Sequence, residues 1–237
     1  MRCLVVIPAY NAAGHLPELI ARIRTSAPGI GILIVNDGSA DETETVARHA
    51  GVEVISHPVN RGKGAALMTG FGAAMERGAE AVIHMDADLQ HEPESLPDFV
   101  AAFERGEGDV IIGSRDLSAR HMPLSRRLSN TLCSWTVSAL ARQSVADSQC
   151  GYRLISRAVM ETVHPRSGGY TFEPEYLVLA GKAGFRIGAV SIGTVYQDEK
   201  SYIHPWRDTF EFIGAMLRLI VTSPRTITAR ATSEPTH

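Results

Sequence analysis

Residues 81–91 read AVIHMDADLQH, a short apolar run followed at once by an acidic cluster. The apolar run at residues 81–85 is typical of a buried strand. Asp86 and Asp88 follow it directly, separated only by Ala87. Two carboxylates so close repel each other unless a cation or hydrogen bonds offset their charge. A solvated acidic turn is the alternative reading, but the place after a strand favours a cation-binding site.

Apolar strand patterns alternate with helical patterns through the first half of the chain. This alternation predicts an α/β fold with a Rossmann-like, mostly parallel central sheet flanked by helices on both faces. Strands are expected at residues 3–7, 30–35, 52–55, 81–85, 109–112 and 186–195. Helices are expected at residues 15–23, 39–51, 64–77, 93–105, 126–140, 172–183 and 208–221, the second opened by a capping box at residues 39–42.

Composition and charge exclude several classes of protein. The net charge of -3 over 237 residues lacks the basic signature of a nucleic-acid-binding protein, so no nucleic-acid partner is expected. Cys3, Cys133 and Cys150 are isolated, which predicts free thiols and a reducing, cytoplasmic location. No apolar stretch is long enough to cross a bilayer, and Arg218 interrupts the most apolar late segment. Peripheral contact with the cytoplasmic membrane face stays open.

Polar clusters follow the predicted strands. Asp37 lies in an NDGS run after the second strand, and its carboxylate suits either a tight turn or a nucleobase or ribose contact. Lys63 lies at a glycine-rich helix start, and helix N-termini bind anions. Arg115 ends the fifth strand, and Arg126 and Arg127 begin the next helix. Since ligands bind beyond the carboxyl ends of parallel strands, one crevice would collect these groups, with arginines suited to phosphate.

Six short motifs occur in a fixed order along the chain. They are PAYN at 8–11, NDGS at 36–39, NRGKGA at 60–65, DADLQH at 86–91, GSR at 113–115 and DSQCGYR at 147–153. Together they resemble the family 2 glycosyltransferases of the GT-A fold, above all the dolichyl- or polyprenyl-phosphate mannose and glucose synthases. Each motif is weak alone, but six in this order are specific.

The resemblance implies a donor side that binds a GDP- or UDP-linked sugar together with Mg²⁺ or Mn²⁺. Its nucleotide-sugar contacts would be Pro8, Tyr10, Asn11, Asp37, Lys63, Asp86 and Ala87, and its metal ligands Asp86, Asp88 and Gln90. We expect a single catalytic domain over residues 1–222, with a nucleotide-binding half at 1–116 and an acceptor half at 117–222. Residues 223–237 are predicted to be a disordered tail.

The resemblance also implies a hexose transfer to a polyprenyl or dolichyl phosphate, with inversion at the anomeric carbon. The acceptor phosphate would be bound by Arg115, Arg126, Arg127, Ser129, Gln149, Arg153, Ser201 and His204, and catalytic roles would fall to Asp88, Arg115, Asp147 and Glu175. A phosphate acceptor is already ionised near neutral pH. A saccharide hydroxyl would instead need a general base, Glu175 or Asp147, and this alternative stays open.

Two further function classes fit the sequence less well. A sugar-1-phosphate nucleotidyltransferase would carry a glycine-rich loop after the first strand, where this chain has PAYN. A non-catalytic nucleotide-binding module would not need the acidic pair.

Mannose synthases of the resembled family carry Arg and Lys where this chain has Thr194 and Tyr202, so the base and sugar of the donor stay open. The amphipathic helix at 208–221 suits either a bilayer surface or the protein core.

Overall fold

The computed structural model describes residues 1–115, 124–193 and 205–222. Seven strands are described: β1 (Cys3–Ala9), β2 (Gly31–Asn36), β3 (Glu53–Ser56), β4 (Ala81–His84), β5 (Val110–Arg115), β6 (Arg153–Ser156) and β7 (Ile187–Ile192). They form one sheet in the order β3-β2-β1-β4-β6-β5-β7. Eight α-helices accompany them in these ranges: α1 (Leu16–Ser26), α2 (Thr43–His49), α3 (Lys63–Glu76), α4 (Leu96–Glu104), α5 (Leu124–Ala141), α6 (Arg157–Thr162), α7 (Phe172–Lys182) and α8 (Pro205–Val221).

The first half of the sheet is parallel, as predicted. β1 pairs with β2 and β4, and β2 pairs with β3, all in the same direction. The centre of β1, at Val5, Val6 and Ile7, is fully buried. Continuous burial of this kind arises because helices cover both faces of a parallel sheet. The predicted fold class is therefore confirmed.

Strand β6 was not predicted, and it determines the geometry of the site. It runs antiparallel between β4 and β5. Consequently β4 and β5 run in the same direction, and their carboxyl ends lie at the edge of the sheet where β6 begins. The pattern of β6 is hard to recognise because it has only four residues, of which the first, Arg153, is a buried cation.

The predicted start of α2 was wrong. The helix begins at Thr43, four residues after Ser39 and directly after the proposed capping box, and Ser39 does not cap it. Instead the Ser39 hydroxyl accepts a hydrogen bond from the backbone N–H of Asn11, and the Asp41 carboxylate accepts one from Ala13. Ser39 is therefore used to join the loops after β1 and β2. Asp41 joins the same loops and also accepts a hydrogen bond of 3.0 Å from the backbone N–H of Thr43, the first residue of α2.

Helix α8 has apolar residues on both its buried and its exposed sides. Ala215, Met216 and Leu219 are buried, and the helix packs against α7. Other apolar side chains of the helix are exposed, namely Ile213, Leu217, Ile220 and Val221. Within the described ranges, no helix is long and apolar enough to cross a bilayer.

The three cysteines are free, as predicted from their isolated positions.

Several other predictions lie outside the described residues. They concern the acceptor contacts Ser201 and His204, the positions Thr194 and Tyr202 where the chain departs from mannose synthases, and the tail at 223–237.

Candidate functional site

The site lies at the sheet edge formed by the carboxyl ends of β1, β2, β4 and β5. The chain reaches this edge a further time in the loop at residues 147–152, which leads into β6. The antiparallel direction of β6 places that loop between the residues that follow β4 and those that end β5. Both halves of the chain therefore contribute to one site.

Lys63 connects two carboxylates at the centre of this edge. Its Nζ lies 2.5 Å from Asp86 Oδ1 and 2.6 Å from Glu173 Oε1. His91 Nε2 lies 3.7 Å from the other Asp86 oxygen. The first turn of α3, the residues after β4 and the first turn of α7 thus meet at one charged cluster.

Charge and burial shift the pKa values of these groups in different directions. Burial alone would raise the pKa of Asp86, but Lys63 and His91 hold it well below its usual range. Burial and the neighbouring charge of Asp86 raise the pKa of Asp88. Burial alone would lower the pKa of Lys63, but Asp86 and Glu173 raise it above its usual value. Asp86 is therefore a stabilised anion, whereas Asp88 has no comparable cation beside it within the described residues.

The acidic turn after β4 has a strained backbone. Leu89 adopts a φ of 61°, which is uncommon for a non-glycine residue. The backbone N–H of Gln90 donates a hydrogen bond of 3.0 Å to Asp88 Oδ1. Strained positions of this kind cluster at functional sites, where the surrounding structure maintains them. Asp86, Asp88 and Gln90, the predicted metal ligands, are all partly exposed on this turn.

Gly151 brings the second half of the chain against the acidic turn. A Cβ atom at this position would lie 2.5 Å from Asp86 Oδ2 and 2.9 Å from Lys63 Nζ. A Cβ cannot remain at these distances, so any other residue would force the Asp86 carboxylate, the Lys63 ammonium or the loop itself to shift. The glycine of the DSQCGYR motif therefore has a steric explanation.

Arg115 and Asp147 form a bidentate ion pair. Arg115 Nε donates to Asp147 Oδ2 at 2.6 Å, and Nη2 donates to Oδ1 at 3.0 Å. Asp147 is only 1% exposed, and its Oδ1 also accepts from the backbone N–H of Gln149. The planar geometry fixes the guanidinium at the end of β5. The structure thus makes Asp147 the partner that orients Arg115.

Arg153 was expected to contact the acceptor, and its position does not allow this. The side chain is fully buried. Its guanidinium donates to the backbone carbonyls of Ser148, Cys150 and Glu173 at 2.7, 2.8 and 2.8 Å. Three carbonyl partners satisfy a large part of its hydrogen-bonding capacity, so Arg153 connects the 147–151 loop to the start of α7.

Glu175 was expected as a candidate base, and the structure gives its carboxylate another role. Oε1 accepts a hydrogen bond from the backbone N–H of Arg166, and Oε2 accepts one from Ser167 at 2.8 Å. Glu175 is buried and secures the loop that precedes α7. The carboxylate that faces Lys63 belongs to Glu173, two residues earlier.

Asp37 is buried and joins β2 to the glycine-rich helix start. Its Oδ1 lies 2.6 Å from His57 Nδ1 and accepts from the backbone N–H of Arg61. Its Oδ2 accepts from the N–H of Gly62 at 2.7 Å. These bonds hold the residues that precede α3, and with them the backbone of Lys63. The predicted nucleoside contact of Asp37 has to coexist with this structural role.

The PAYN residues form an exposed rim beside this helix start. Tyr10 is exposed, and Pro8 is partly exposed. Asn11 has a φ of 51°, and its side-chain oxygen accepts from the backbone N–H of Ala40. The turn therefore presents the Tyr10 ring to solvent, where a planar base could stack on it.

The remaining predicted acceptor residues lie on α5 and its neighbouring loop. Ser129 and Gln149 are exposed. Arg126 and Arg127 belong to the first turn of α5, and their side chains lie outside the described part of the chain. Ala87 is buried within the acidic turn.

Glu173 and His91 were missed as site residues. Glu173 precedes Pro174 in the first turn of α7, where an acidic residue is favourable on any helix. His91 follows the acidic turn and is buried. A signal for His91 existed in the DADLQH run, but nothing local distinguishes Glu173 from Glu175.

Comparison with known proteins identifies the family. The model of the family described as Glycosyl transferase family 2 matches residues 4–170. The chain belongs to Glycosyl transferase family 2. The family 2 match covers both the acidic turn and the Arg115–Asp147 pair, and it confirms the resemblance inferred from the six motifs.

Several similar proteins have names that refer to sugar transfer to polyprenyl or dolichyl phosphates. The polyprenol monophosphomannose synthase of Mycolicibacterium smegmatis is 32% identical, over 81% of this chain and 76% of its own length. The undecaprenyl-phosphate mannosyltransferase of Micrococcus luteus is 31% identical, over 84% of this chain and 85% of its own. A UDP-N-acetylglucosamine–dolichyl-phosphate N-acetylglucosaminyltransferase of Methanococcus voltae is 27% identical, over 82% of this chain and 86% of its own.

Solved structures support the GT-A fold of this family 2 enzyme. Glucosyl-3-phosphoglycerate synthase from Mycobacterium tuberculosis, in complex with Mn²⁺, UDP and glucosyl-3-phosphoglycerate, matches with a TM-score of 0.74 at 22% identity. The match covers 92% of this chain and 79% of that one. The same synthase bound to Mg²⁺ and UDP matches with a TM-score of 0.74 at 21% identity, over 92% of this chain and 78% of that one.

Proposed function

We propose that this glycosyltransferase moves a hexose from a nucleotide-diphosphate sugar to a polyprenyl phosphate, with inversion at the anomeric carbon. The names of the similar family 2 proteins support the class of acceptor. The choice of a phosphate acceptor over a hydroxyl acceptor rests on one observation: both candidate bases, Asp147 and Glu175, already accept hydrogen bonds from other groups of the protein. Asp147 accepts from Arg115 and Gln149, and Glu175 accepts from Arg166 and Ser167.

This observation discriminates between the two classes of acceptor. A hydroxyl acceptor has to lose a proton, so its enzyme needs an available base. A phosphate monoester is already an anion near neutral pH and needs only to be oriented and desolvated. Arg115, held rigidly by Asp147 at the end of β5, suits the second task because guanidinium groups bind phosphate oxygens in pairs.

The acidic turn fits a hard divalent cation. Asp86, Asp88 and Gln90 supply oxygen atoms, the kind of ligand that Mg²⁺ and Mn²⁺ prefer. No group of three or more His, Cys, Asp or Glu side chains in the described ranges is arranged to enclose a metal. Such a cation would therefore complete its coordination with diphosphate oxygens and water, as Mg²⁺ commonly does. Mn²⁺ and Mg²⁺ in the related solved structures support this assignment.

The protein's own groups then divide the reaction between them. When bound, the cation would neutralise charge that develops on the departing diphosphate. Lys63 adds a second positive charge to the same region, at the N-terminus of α3 where free N–H groups favour anions. Arg115 orients the acceptor phosphate for in-line attack on the opposite face of the sugar. Tyr10 and the loops after β1 and β2 hold the nucleoside.

A lipid acceptor requires contact with a membrane, and the exposed apolar residues support this. Leu132 and Trp135 are exposed on α5, and Leu217 and Ile220 are exposed on α8. Both helices pack against α7. Tryptophan favours the interface between headgroups and acyl chains because its ring is amphipathic. We infer peripheral attachment of the enzyme to the membrane that holds its acceptor.

Transfer assays with purified protein test the proposed function. Labelled GDP-mannose, UDP-glucose and UDP-N-acetylglucosamine would each be offered with Mn²⁺ and one of three acceptors. The acceptors are a polyprenyl phosphate, the corresponding polyprenol without phosphate, and a mixture of saccharides. We expect product only with the phosphate, from one or two donors. Transfer to a saccharide but not to the lipid phosphate would refute the proposal.

A further inference from the structure

A divalent cation at the acidic turn would compete with Lys63 for the carboxylate of Asp86. The Lys63 ammonium already lies 2.5 Å from Asp86 Oδ1. A cation bound to that oxygen would lie within a few ångströms of the ammonium, and like charges at such a separation repel strongly in a partly buried site. A cation bound at Oδ1 therefore displaces the ammonium.

The packing around Lys63 leaves the ammonium one carboxylate to move to. The backbone of Gly151 closes one side so tightly that a Cβ there would be 2.9 Å from Lys63 Nζ. On another side, Glu173 Oε1 already lies 2.6 Å from the same ammonium. Among the described residues, Asp86 and Glu173 are the two acidic groups paired with Lys63. An ammonium that leaves Asp86 therefore remains on Glu173.

The distance between Lys63 and Glu173 is fixed by the residues next to them. A Cβ on Gly64 would lie 2.7 Å from the ring of Phe172, so the first turns of α3 and α7 pack at the closest approach that glycine permits. Arg153 donates a hydrogen bond of 2.8 Å to the backbone carbonyl of Glu173. The close packing of α3 against α7 and the hydrogen bond from the buried Arg153 thus hold Lys63 and Glu173 next to each other.

We propose that Glu173 is a positioning residue, which holds the Lys63 ammonium at the site while a divalent cation occupies Asp86. The proposal rests on the metal site described under the proposed function. Retained by Glu173, Lys63 keeps its other N–H groups for the donor diphosphate, since an ammonium has three donors. Without Glu173, the ammonium stays on Asp86 and opposes the cation.

Mn²⁺ binding in the absence of nucleotide provides the test. Free Mn²⁺ would be measured by electron paramagnetic resonance for the wild type, Lys63→Met, Glu173→Gln and the double variant. We expect Lys63→Met to bind Mn²⁺ about tenfold more tightly and Glu173→Gln about tenfold more weakly than the wild type. In the Lys63→Met background, Glu173→Gln should change the affinity by less than about twofold, because Glu173 acts through Lys63.

Matched controls remove the effect of net charge. Arg105 and Glu107 form an exposed ion pair away from the site, so Arg105→Met and Glu107→Gln carry the same changes of charge. Both should leave Mn²⁺ affinity at the wild-type value. A change in either control equal to that of the matching site variant would overturn the proposal.

The outcomes separate this inference from the proposed function. If Glu173→Gln weakens Mn²⁺ equally in both backgrounds, Glu173 acts through its own charge and the inference fails. If Lys63→Met and the wild type bind Mn²⁺ with equal affinity, the inference also fails, although the metal site itself is then present. If no variant binds Mn²⁺, this inference fails, whereas the proposed function is decided by the transfer assays, in which the donor diphosphate is present. Should Lys63→Met not fold, Glu173→Gln alone decides, and an unchanged Mn²⁺ affinity would overturn the inference.

Discussion

We propose that Asp147 acts on the reaction through Arg115, and replacing one carboxylate oxygen of Asp147 by an amide nitrogen tests this. Asp147→Asn keeps the shape of the side chain but removes the charge that holds both guanidinium nitrogens. A misplaced guanidinium no longer presents its paired donors to the acceptor. We expect kcat/KM for the lipid phosphate to fall about a hundredfold, with unchanged affinity for UDP or GDP. Steady-state kinetics and calorimetry would measure the two quantities.

The control for this prediction is Glu107→Gln, which breaks an exposed ion pair with Arg105. Exposed pairs contribute little, so kinetics and stability should stay near the wild-type values. A fall in nucleotide affinity for Asp147→Asn would contradict the assignment of Asp147 to the acceptor side.

Substitution of Glu175 distinguishes a structural role of this residue from a catalytic one. Its carboxylate accepts two backbone N–H groups, and the neutral amide of Glu175→Gln can replace only part of that interaction. We expect the free energy of unfolding to fall by about 1–3 kcal/mol, with the pH profile of kcat unchanged. Denaturant titration and a pH–rate profile check both statements. Loss of the acidic limb of the pH–rate profile at unchanged stability would restore Glu175 as a base, because activity that depends on a base falls when that base is protonated.

At the scale of elements, the loop before β6 brings the acceptor half against the acidic turn. Gly151→Ala would place a methyl group 2.5 Å from Asp86 Oδ2, so the Asp86 side chain, the loop or the acidic turn has to move. We expect the Mn²⁺-dependent affinity for UDP or GDP to fall about tenfold or more, since the proposed metal ligands would be displaced. Gly14→Ala is the control because no atom lies within 4 Å of its added Cβ. Equal affinities for both variants would contradict the close approach.

The sequence predicted some elements well and others poorly, for physical reasons. β1 and β4 are recognisable because both faces are buried, which requires uninterrupted apolar residues. β6 was missed because Arg153 occupies its first position, and only tertiary carbonyls make that burial acceptable. The start of α2 was misplaced because Ser39 bonds to Asn11, a partner that lies 28 residues away along the chain.

Contacts between residues far apart in the sequence also limited the prediction of the candidate site. Asp86, Asp88 and Arg115 could be predicted because the ends of parallel strands meet at one edge of the sheet. Glu173 could not be chosen over Glu175, since both lie in the first turn of α7 and both are buried. Their roles diverge only because α7 packs its first residue against Gly64, which places Glu173 beside Lys63.

At the scale of the whole molecule, the apolar residues on the outside of α8 should govern attachment to lipid. Leu217 and Ile220 are each 59% exposed, so the core does not depend on them. The variant Leu217→Glu with Ile220→Glu removes apolar area and adds two charges that an acyl layer disfavours. We expect binding to anionic vesicles, measured by flotation, to weaken at least about tenfold.

The matched control adds two glutamates on another helix. Ala21 and Thr25 are exposed on α1, so Ala21→Glu with Thr25→Glu changes the charge equally without touching α8. We expect this control to bind vesicles like the wild type. The α8 variant should also keep its wild-type melting temperature and its rate with acceptor presented in detergent micelles, because it changes neither the core nor the site. Equal vesicle binding by both variants would show that α8 does not contact the membrane.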